Sequence, residues 1–205
     1  MTIKRWDIIN AFIKKYDYKT FLEIGLDEGH CRDNVNIELK ESVDPSDVCD
    51  NPTYKTTSDH FFELQSLRQN PCTYDIIFID GLHEANQVYR DVINSLKFLN
   101  EGGTILCHDL MPPHELSQIV PRISGLWCGD CWKAWVKLLS ERSDLEMYVV
   151  TEDYGVGVIR KGNRSVSKEM NVPIDIMDWD FYRSVKNKMN YISYEEFCGK
   201  MDWML

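Results

Sequence analysis

Short apolar runs alternate along this chain with segments whose apolar residues recur at helical spacing. The strongest run, 74–80 (YDIIFID), has four apolar residues in succession, which is typical of a strand buried on both faces of a parallel sheet. Shorter runs predict four further strands, at 20–25, 38–43, 54–57 and 104–107. Strands that alternate with helices in this way indicate an α/β protein.

Four helices are predicted before and between these strands, at 3–16, 61–69, 85–99 and 130–142. Ser58 and Asp59 are good caps for the second helix, because their side-chain oxygens can accept hydrogen bonds from free backbone amides. Gly102 and Gly103 are expected to stop the third helix. The interval 30–36 is predicted to be a short helix or a loop, since the next strand follows it closely.

The last two strands, 145–150 and 156–159, are joined by the tight turn EDYG and are therefore expected to be antiparallel. Together these elements predict a Rossmann-like, doubly wound sheet that is mostly parallel. Beyond it the chain is first polar, then rich in aromatic residues and helical in pattern. We divide it into a domain at 1–162 with a leading helix, and an extension at 163–205 packed on that domain.

Composition narrows the class of function. The chain has 205 residues, a hydrophobic fraction of 43% and a net charge of −10, which fit one acidic globular protein and argue against a nucleic-acid partner. No apolar run approaches the ~20 residues of a membrane helix. Seven cysteines without a framework spacing predict reduced thiols and a cytoplasmic location.

Residues 20–29 (TFLEIGLDEG) organise the chain chemically. The strand that they contain ends at Gly25, a second glycine follows at Gly29, and Glu23 places a carboxylate inside the apolar run, where it is costly without a partner. Asp44 ends the next strand nineteen residues after Gly25. A strand, a glycine turn and an acid about 20 residues on are typical of a nucleoside site, in which the acid binds ribose hydroxyls. The spacing G-x-x-x-G is a poor match to a dinucleotide site.

Polar side chains stand at the carboxyl end of every predicted parallel strand, where ligands bind in open α/β sheets. They are Glu23, Asp44, Thr57, Ser58, Asp59, Asp80, His83, His108 and Asp109. This is far more polar chemistry than a solvated sheet edge requires.

Three motifs resemble those of a known family. The E-x-G-x-x-x-G pattern at 23–29 resembles motif I of the class I S-adenosylmethionine-dependent methyltransferases. The segments 78–83 (FIDGLH) and 102–109 (GGTILCHD) are similar to those of its small-molecule and sugar O-methyltransferase branch. The resemblance covers about 20–160. It implies a seven-stranded sheet in the order 3-2-1-4-5-7-6, with the C-terminal hairpin antiparallel.

The resemblance also implies where S-adenosylmethionine binds, at Glu23, Gly25, Gly29, Asp44, Ser58, Asp59, Phe61 and Asp80. The methionine half of the cofactor is expected along Glu23 and the two glycines, and the ribose at Asp44. Phe61 is expected to stack on the adenine. Asp59 has the alternative role of helix cap, and Asp80 is expected near the sulfonium and the reacting oxygen.

The implied catalytic group is Asp80, His83, His108 and Asp109. One device is a divalent metal, Mg²⁺ or Mn²⁺, held by Asp80, His108 and Asp109, as in metal-dependent relatives such as catechol O-methyltransferase. Histidine at 108 speaks against a hard ion, because relatives carry an oxygen ligand there. The other device is a general base, His83 or His108. His83 could instead cap the following helix.

Residues 127–133 (WCGDCWK) have two interpretations. In the family a G-D-x-W-K loop lines the acceptor pocket, which implies that Asp130 and Trp132 contact the substrate, although Trp132 also suits a core position. The cysteine pair Cys128 and Cys131 resembles a thioredoxin motif or half of a zinc site. The predicted function is O-methylation of a small hydroxylated acceptor, a sugar or a natural product. An inactive nucleoside-binding module and a thiol oxidoreductase are the alternatives, and a homo-oligomer is left open.

Overall fold

The computed structural model describes residues 2–48 and 51–202. The described strands are β1 (Thr20–Ile24), β2 (Leu39–Val43), β3 (Tyr74–Ile79), β4 (Leu99–Cys107), β5 (Leu145–Val150), β6 (Val156–Lys161) and β7 (Tyr191–Ile192). The helices are α1 (Arg5–Tyr16), α2 (His30–Asn34), α3 (Ser58–Ser66), α4 (Ala85–Ser95), α5 (Cys131–Glu141), α6 (Trp179–Val185) and α7 (Tyr194–Lys200). Short 3₁₀ turns occupy Glu115–Gln118, Lys168–Met170, Ile174–Ile176 and Lys186–Lys188.

The strands form one sheet in the order β2-β1-β3-β4-β6-β5-β7. Strands β2, β1, β3 and β4 are parallel, and β6 lies antiparallel between β4 and β5. This confirms the predicted Rossmann-like sheet and its antiparallel hairpin. In the turn of that hairpin, Asp153, Tyr154 and Gly155 all have positive φ, which gives the tight reversal that EDYG predicts.

The seventh strand is not the predicted one. Residues 54–57 form only an isolated parallel bridge, between Tyr54 and Val43 at the edge of β2. The chain leaves the sheet there because Thr57, and not Ser58 or Asp59, caps α3 by accepting a hydrogen bond from the His60 amide. The place of a seventh strand is taken instead by β7, which pairs with β5 at the opposite edge of the sheet.

The helix predicted at 85–99 also ends early, at Ser95. Its last predicted residue, Leu99, already pairs with Tyr74 as the first residue of β4. The two glycines predicted to stop the helix therefore lie inside the strand. A Cβ at Gly103 would lie 2.8 Å from the Asp75 carbonyl oxygen, so the close approach of β4 to β3 requires glycine there.

Helices cover both faces of the sheet, because alternate strand residues belong to two separate core clusters. Leu22 and Ile77 pack in a cluster with residues of α3, α4 and α5, while Phe21 and Ile76 pack with residues of α1 and α7. The extension contacts the domain on both sides: Tyr182 packs on Trp132, and Phe197 on Phe12, at ring-centroid distances of 5.0 and 5.8 Å. The exact division at 162 stays a prediction. Among the described residues, no helix has the length and apolar character needed to cross a membrane.

Candidate active site

A cavity of about 700 Å³ opens at the carboxyl ends of β1, β2, β3 and β4. Of the site residues predicted from the sequence, its lining includes Gly25, Asp44, Ser58, Asp80, His83, His108 and Asp109. A smaller cavity of about 230 Å³ lies beside it and is lined by Glu23 and by residues at the start of α1. Arg5, Gly25, Asp27 and Asp80 line both cavities, so these four residues stand where the two meet.

Glu23 is a buried carboxyl group with an unused oxygen. The residue is 1% exposed, and its Oε2 has no hydrogen-bond partner among the described residues. Burial, followed by the negative charge of Asp80, raises the pKa of Glu23 to about 8. A buried polar atom without a partner is destabilising. At the floor of the smaller cavity it is therefore suited to a cationic donor group brought by a ligand.

Gly25 is required by the chain's own packing. It has φ of 86°, and a Cβ there would lie 2.2 Å from the carbonyl oxygen of Asp80. The end of β1 thus rests directly on the backbone that follows β3, and no larger residue fits. Gly29, with φ of 80°, precedes the first residue of α2, and its amide donates to the Leu26 carbonyl at 2.7 Å.

Asp44 is held by backbone amides of the glycine loop. Its Oδ2 accepts from the amides of Leu26 at 2.7 Å and Asp27 at 3.2 Å, and its Oδ1 from that of Ser46 at 2.7 Å. Burial acts to raise the pKa of Asp44, but the hydrogen bonds from Ser46, Leu26 and Asp27 outweigh it and lower the pKa. The carboxylate is therefore ionised and fixed in the cavity wall.

The remaining predicted adenine contacts are split. Ser58 lines the cavity, whereas Asp59 lies outside it, 3.4 Å from the Arg90 guanidinium. Phe61 is 2% exposed and packs between Tyr54 and Phe62, so the structure does not bring its ring to the cavity. The wall at this point is formed instead by the loop after Asp44, with Pro45, Ser46 and Val48 in the lining.

The four predicted catalytic residues meet at the centre of the large cavity. His83 lies between two carboxylates, with Nε2 3.4 Å from Asp80 Oδ1 and Nδ1 3.2 Å from Asp109 Oδ2. His108 lies between the same two, with Nδ1 3.2 Å from Asp80 Oδ1 and 3.4 Å from Asp109 Oδ2. Asp80 and His83 follow β3 while His108 and Asp109 follow β4, and the parallel pairing of these strands brings the two segments together.

His108 is a buried cation. Its Nε2 donates to the carbonyl oxygen of Asp153 at 2.6 Å, and its Nδ1 faces the Asp80 carboxylate. Both partners only accept hydrogen bonds, so both ring nitrogens carry protons. Burial lowers the pKa of His108, but the charges of Asp80 and Asp109 and a hydrogen bond to Asp153 raise it well above its usual value. With its imidazole charged and 4% of the residue exposed, His108 is not available as a base.

His83 has a different environment. Its side chain is 19% exposed, it lines the cavity, and its ring stacks on Trp127 at a centroid distance of 5.0 Å. Its Nδ1 makes no well-directed hydrogen bond among the described residues, although Asp109 is near. Burial lowers the pKa of His83, and the hydrogen bond and charge of Asp80 raise it above its usual value. What separates the two histidines is exposure, since the side chain of His83 is 19% exposed and that of His108 is 2% exposed, so His83 is the one that a ligand in the cavity can reach.

The backbone of His83 is fixed by the loop that precedes α5. A Cβ at Gly129 would lie 1.9 Å from the His83 carbonyl oxygen, and the Asp130 amide donates to the same oxygen at 3.2 Å. Asp130 Oδ1 also accepts from the Ala85 amide at 2.7 Å. Asp130, and not His83, therefore satisfies the first amide of α4.

Two residues that pair with Asp80 and His108 were not predicted. Arg5 from α1 pairs with Asp80 through Nη1, and its Nε lies 2.9 Å from Asp153 Oδ2. Asp153 also accepts from Lys4 Nζ at 3.2 Å and from the Arg5 amide at 3.1 Å. Burial raises the pKa of Asp153, but the hydrogen bond from His108 and the charge of Arg5 outweigh it, so the carboxylate stays ionised. The sequence signal was only the adjacent Lys4 and Arg5 at the start of an amphipathic helix.

Residues 22–110 match the family model described as a methyltransferase domain. Within this segment, which begins in β1 and ends just after Asp109, the chain is similar to methyltransferase domains. No curated protein sequence matches it.

Solved structures share the fold of this chain at low sequence identity. The O-methyltransferase from Bacillus cereus, in complex with SAH, is 12% identical with a TM-score of 0.56, over 78% of this chain and 82% of that one. TomG from Streptomyces achromogenes, an O-methyltransferase of tomaymycin synthesis in complex with SAM, is 10% identical with a TM-score of 0.57, over 78% and 80%. The SAH-bound methyltransferase PaMTH1 from Podospora anserina is 17% identical with a TM-score of 0.53, over 80% of each chain.

The residues predicted to contact an acceptor do not line the large cavity. Trp132 is fully buried, with Nε1 donating to Gln118 Oε1 at 3.1 Å, and neither it nor Asp130 lines the large cavity. The cavity is closed there by Leu82, Arg122, Leu126, Trp127, Cys128 and Tyr154. The W-C-G-D-C-W-K motif thus contributes its first two residues to the cavity and its last three to helix α5.

The cysteine pair lacks the environment of a redox motif. Cys128 and Cys131 are both buried, and burial raises the pKa of both thiols. A reactive Cys-x-x-C thiol needs its pKa lowered. The structure therefore gives no support to the thiol oxidoreductase alternative.

Proposed function

We propose that this protein transfers a methyl group from S-adenosylmethionine to a hydroxyl oxygen of a small acceptor, with His83 as the general base. The observation that carries the proposal is the position of Asp80. Asp80 lies between Asp44 and His83, at the junction of the two cavities.

The donor half rests on two carboxyl groups. Asp44 presents an ionised carboxylate that would accept hydrogen bonds from ribose hydroxyls. Glu23 offers its unpartnered Oε2 in the smaller cavity, which suits the α-ammonium group of the methionine portion. Together they would place the nucleoside in the large cavity and the amino-acid end in the small one, with the sulfonium near Asp80.

The acceptor half rests on His83 and Trp127. Trp127 provides a flat aromatic surface in the cavity beside the base, which suits the face of a sugar or an aromatic ring. In the reaction the acceptor oxygen forms a bond to the methyl carbon while the methyl–sulfur bond breaks, and its electron pair stays on sulfur. The hydroxyl proton passes to His83 in its neutral form, and the adjacent Asp80 and Asp109 stabilise the imidazolium that results.

The test uses S-adenosylmethionine labelled at the methyl group and a panel of sugars, phenols and hydroxylated natural products. We expect label in a methyl ether and an equal amount of S-adenosylhomocysteine. Binding of S-adenosylhomocysteine without transfer to any member of the panel would favour the inactive nucleoside-binding module. A folded protein that does not bind it at all would contradict the proposal.

A further inference from the structure

The carboxylates of the candidate active site are already neutralised by the chain itself. Three of them, Asp80, Asp109 and Asp153, lie in one cluster with His108. Three cations face them, His108 in the centre and Lys4 and Arg5 from α1. The cluster is therefore balanced in charge before any ligand binds.

Asp80 is the residue on which a metal site would depend, and both its oxygens have cationic partners. Oδ2 pairs with Arg5 Nη1, and Oδ1 faces His108 Nδ1 at 3.2 Å. Arg5 is held from its other side by Asp153, whose side chain is only 2% exposed. Because Asp153 fixes the guanidinium through Nε and the backbone amide, Arg5 is anchored where it lies.

His108 cannot serve as a metal ligand in this arrangement. A histidine ligand must present a deprotonated nitrogen, and both nitrogens of His108 are committed as donors. Asp80, His83 and Asp109 do place three ligand atoms within 4.8 Å of one another. A dication at that set would have to displace Arg5 or compete with two fixed positive charges at short range, where like charges repel strongly in a poorly solvated site.

We propose that Arg5 and His108 are the resident cations of this site and take the place of a divalent metal ion. Arg5 acts as a positioning residue: it fixes Asp80, which in turn orients His83. The inference rests on the proposed function only in that the cluster faces the acceptor hydroxyl. It makes the start of α1, far from the motifs in sequence, part of the reaction site.

The test is direct titration with Mn²⁺, followed by the electron paramagnetic resonance signal of the free ion, so no acceptor is needed. We expect the wild type to leave the signal unchanged. Arg5→Met frees Asp80 Oδ2 and should create a site that takes up about one Mn²⁺ per chain, made by Asp80, His83 and Asp109. Arg5→Lys keeps the positive charge and should take up none.

Thermal unfolding gives a second readout that separates this role from simple structural support. Arg5→Met should lower Tm by several degrees, because it removes one of the cations that Asp80 and Asp153 share. Mn²⁺ should restore part of that loss in Arg5→Met and leave the wild type and Arg5→Lys unaffected. Uptake of one Mn²⁺ per wild-type chain, abolished by Asp80→Asn, would overturn the inference. So would an Arg5→Met variant that folds and binds no metal.

Binding of S-adenosylhomocysteine, measured on the same samples, keeps the two proposals distinguishable. Wild-type protein that binds S-adenosylhomocysteine and also takes up Mn²⁺ would contradict only the proposal that Arg5 and His108 take the place of a metal ion. Wild-type protein that binds neither S-adenosylhomocysteine nor Mn²⁺ would contradict the proposed function and would agree with the proposed role of Arg5 and His108.

Discussion

Two parts of the candidate active site are held together by different interactions. One is the wall formed by Gly25 and Asp44, called here the donor wall. The other is the charged cluster around Asp80 and His108, called here the reaction cluster. At the donor wall the chain contacts itself through backbone: Gly25 rests on the peptide after β3, and Asp44 accepts from three amides of its own and the neighbouring loop. In the reaction cluster, charged side chains from four separate segments hold one another, with Asp80 paired to Arg5 and His108. The first arrangement depends on local geometry, and the second on charge balance across the fold.

This difference predicts unequal responses to neutral substitutions. Removing one charge from the cluster leaves others buried and uncompensated, which is expensive. Removing the charge at Asp44 weakens hydrogen bonds that the backbone can partly satisfy with water. The four predictions below test that contrast, from the largest effect to the smallest.

The largest effect is expected at His83. His83→Asn keeps a polar side chain of similar size but removes the base, and kcat should fall by about 10²–10⁴-fold. Binding of S-adenosylhomocysteine should change little, because the donor wall does not use His83. Steady-state kinetics with an accepted substrate and calorimetry give the two values. A variant that keeps full kcat would show that another group takes the proton.

In the reaction cluster, substitution of Asp153 should lower the stability of the fold. Asp153→Asn removes a buried carboxylate that contacts both Arg5 and His108, and the free energy of unfolding should fall by about 3 kcal/mol. Denaturation in urea measures it. Glu152→Gln removes a neighbouring carboxylate of the same turn and serves as control. Equal losses in the two variants would mean that the turn, and not the ion pairs, is responsible.

At the donor wall, substitution of Asp44 should lower the affinity for S-adenosylhomocysteine. Asp44→Asn removes the charge that accepts from the Leu26 and Asp27 amides and the proposed ribose hydroxyls, so S-adenosylhomocysteine should bind about 10–100-fold more weakly. Asp33→Asn, which changes an exposed carboxylate of α2, should bind as the wild type does. Calorimetric titration compares the three proteins, and unchanged affinity in Asp44→Asn would remove Asp44 from the donor site.

The smallest effect, counted per pH unit, is a pH dependence due to Glu23. The pKa of Glu23 is about 8 in the folded protein, and the ordinary value for this group is 4.5. Between pH 4.5 and pH 8 the folded chain therefore keeps a proton that the unfolded chain releases. The free energy of unfolding should therefore fall as pH rises from 5 to 8, by at most about 1.4 kcal/mol per pH unit from this group.

Glu23→Gln removes that contribution. Its Tm relative to the wild type should increase steadily over the same range, whereas the exposed Glu38→Gln should show a constant difference. A flat profile for Glu23→Gln would mean that the carboxyl group is ionised in the folded protein at neutral pH.

The residues that could be predicted from the sequence are those placed by local structure, and the residues that were missed are placed by contacts across the fold. Gly25, Asp44, Asp80 and Asp109 were identified because each directly follows an apolar run, and the ends of parallel strands must meet. Arg5 and Asp153 were missed, since they meet Asp80 and His108 only through contacts between residues far apart in sequence. No spacing rule reports such a contact.

Other differences have local causes. The strand at 54–57 was predicted from a short pattern, but Thr57 caps α3 and turns the chain away after one bridge. Phe61 and Trp132 were assigned to ligands by family resemblance, and large aromatic residues on amphipathic helices are more often needed in the core. Choosing between His83 and His108 required the partners of each ring nitrogen, which only the fold supplies.

The most direct test of the central claim is calorimetric titration of the wild-type protein with S-adenosylhomocysteine, with a competing titration by S-adenosylmethionine. We expect one saturable site per chain, for which the two ligands compete and which Asp44→Asn weakens. A well-folded protein that binds neither ligand would contradict the assignment of the cavity at Glu23, Asp44 and Asp80.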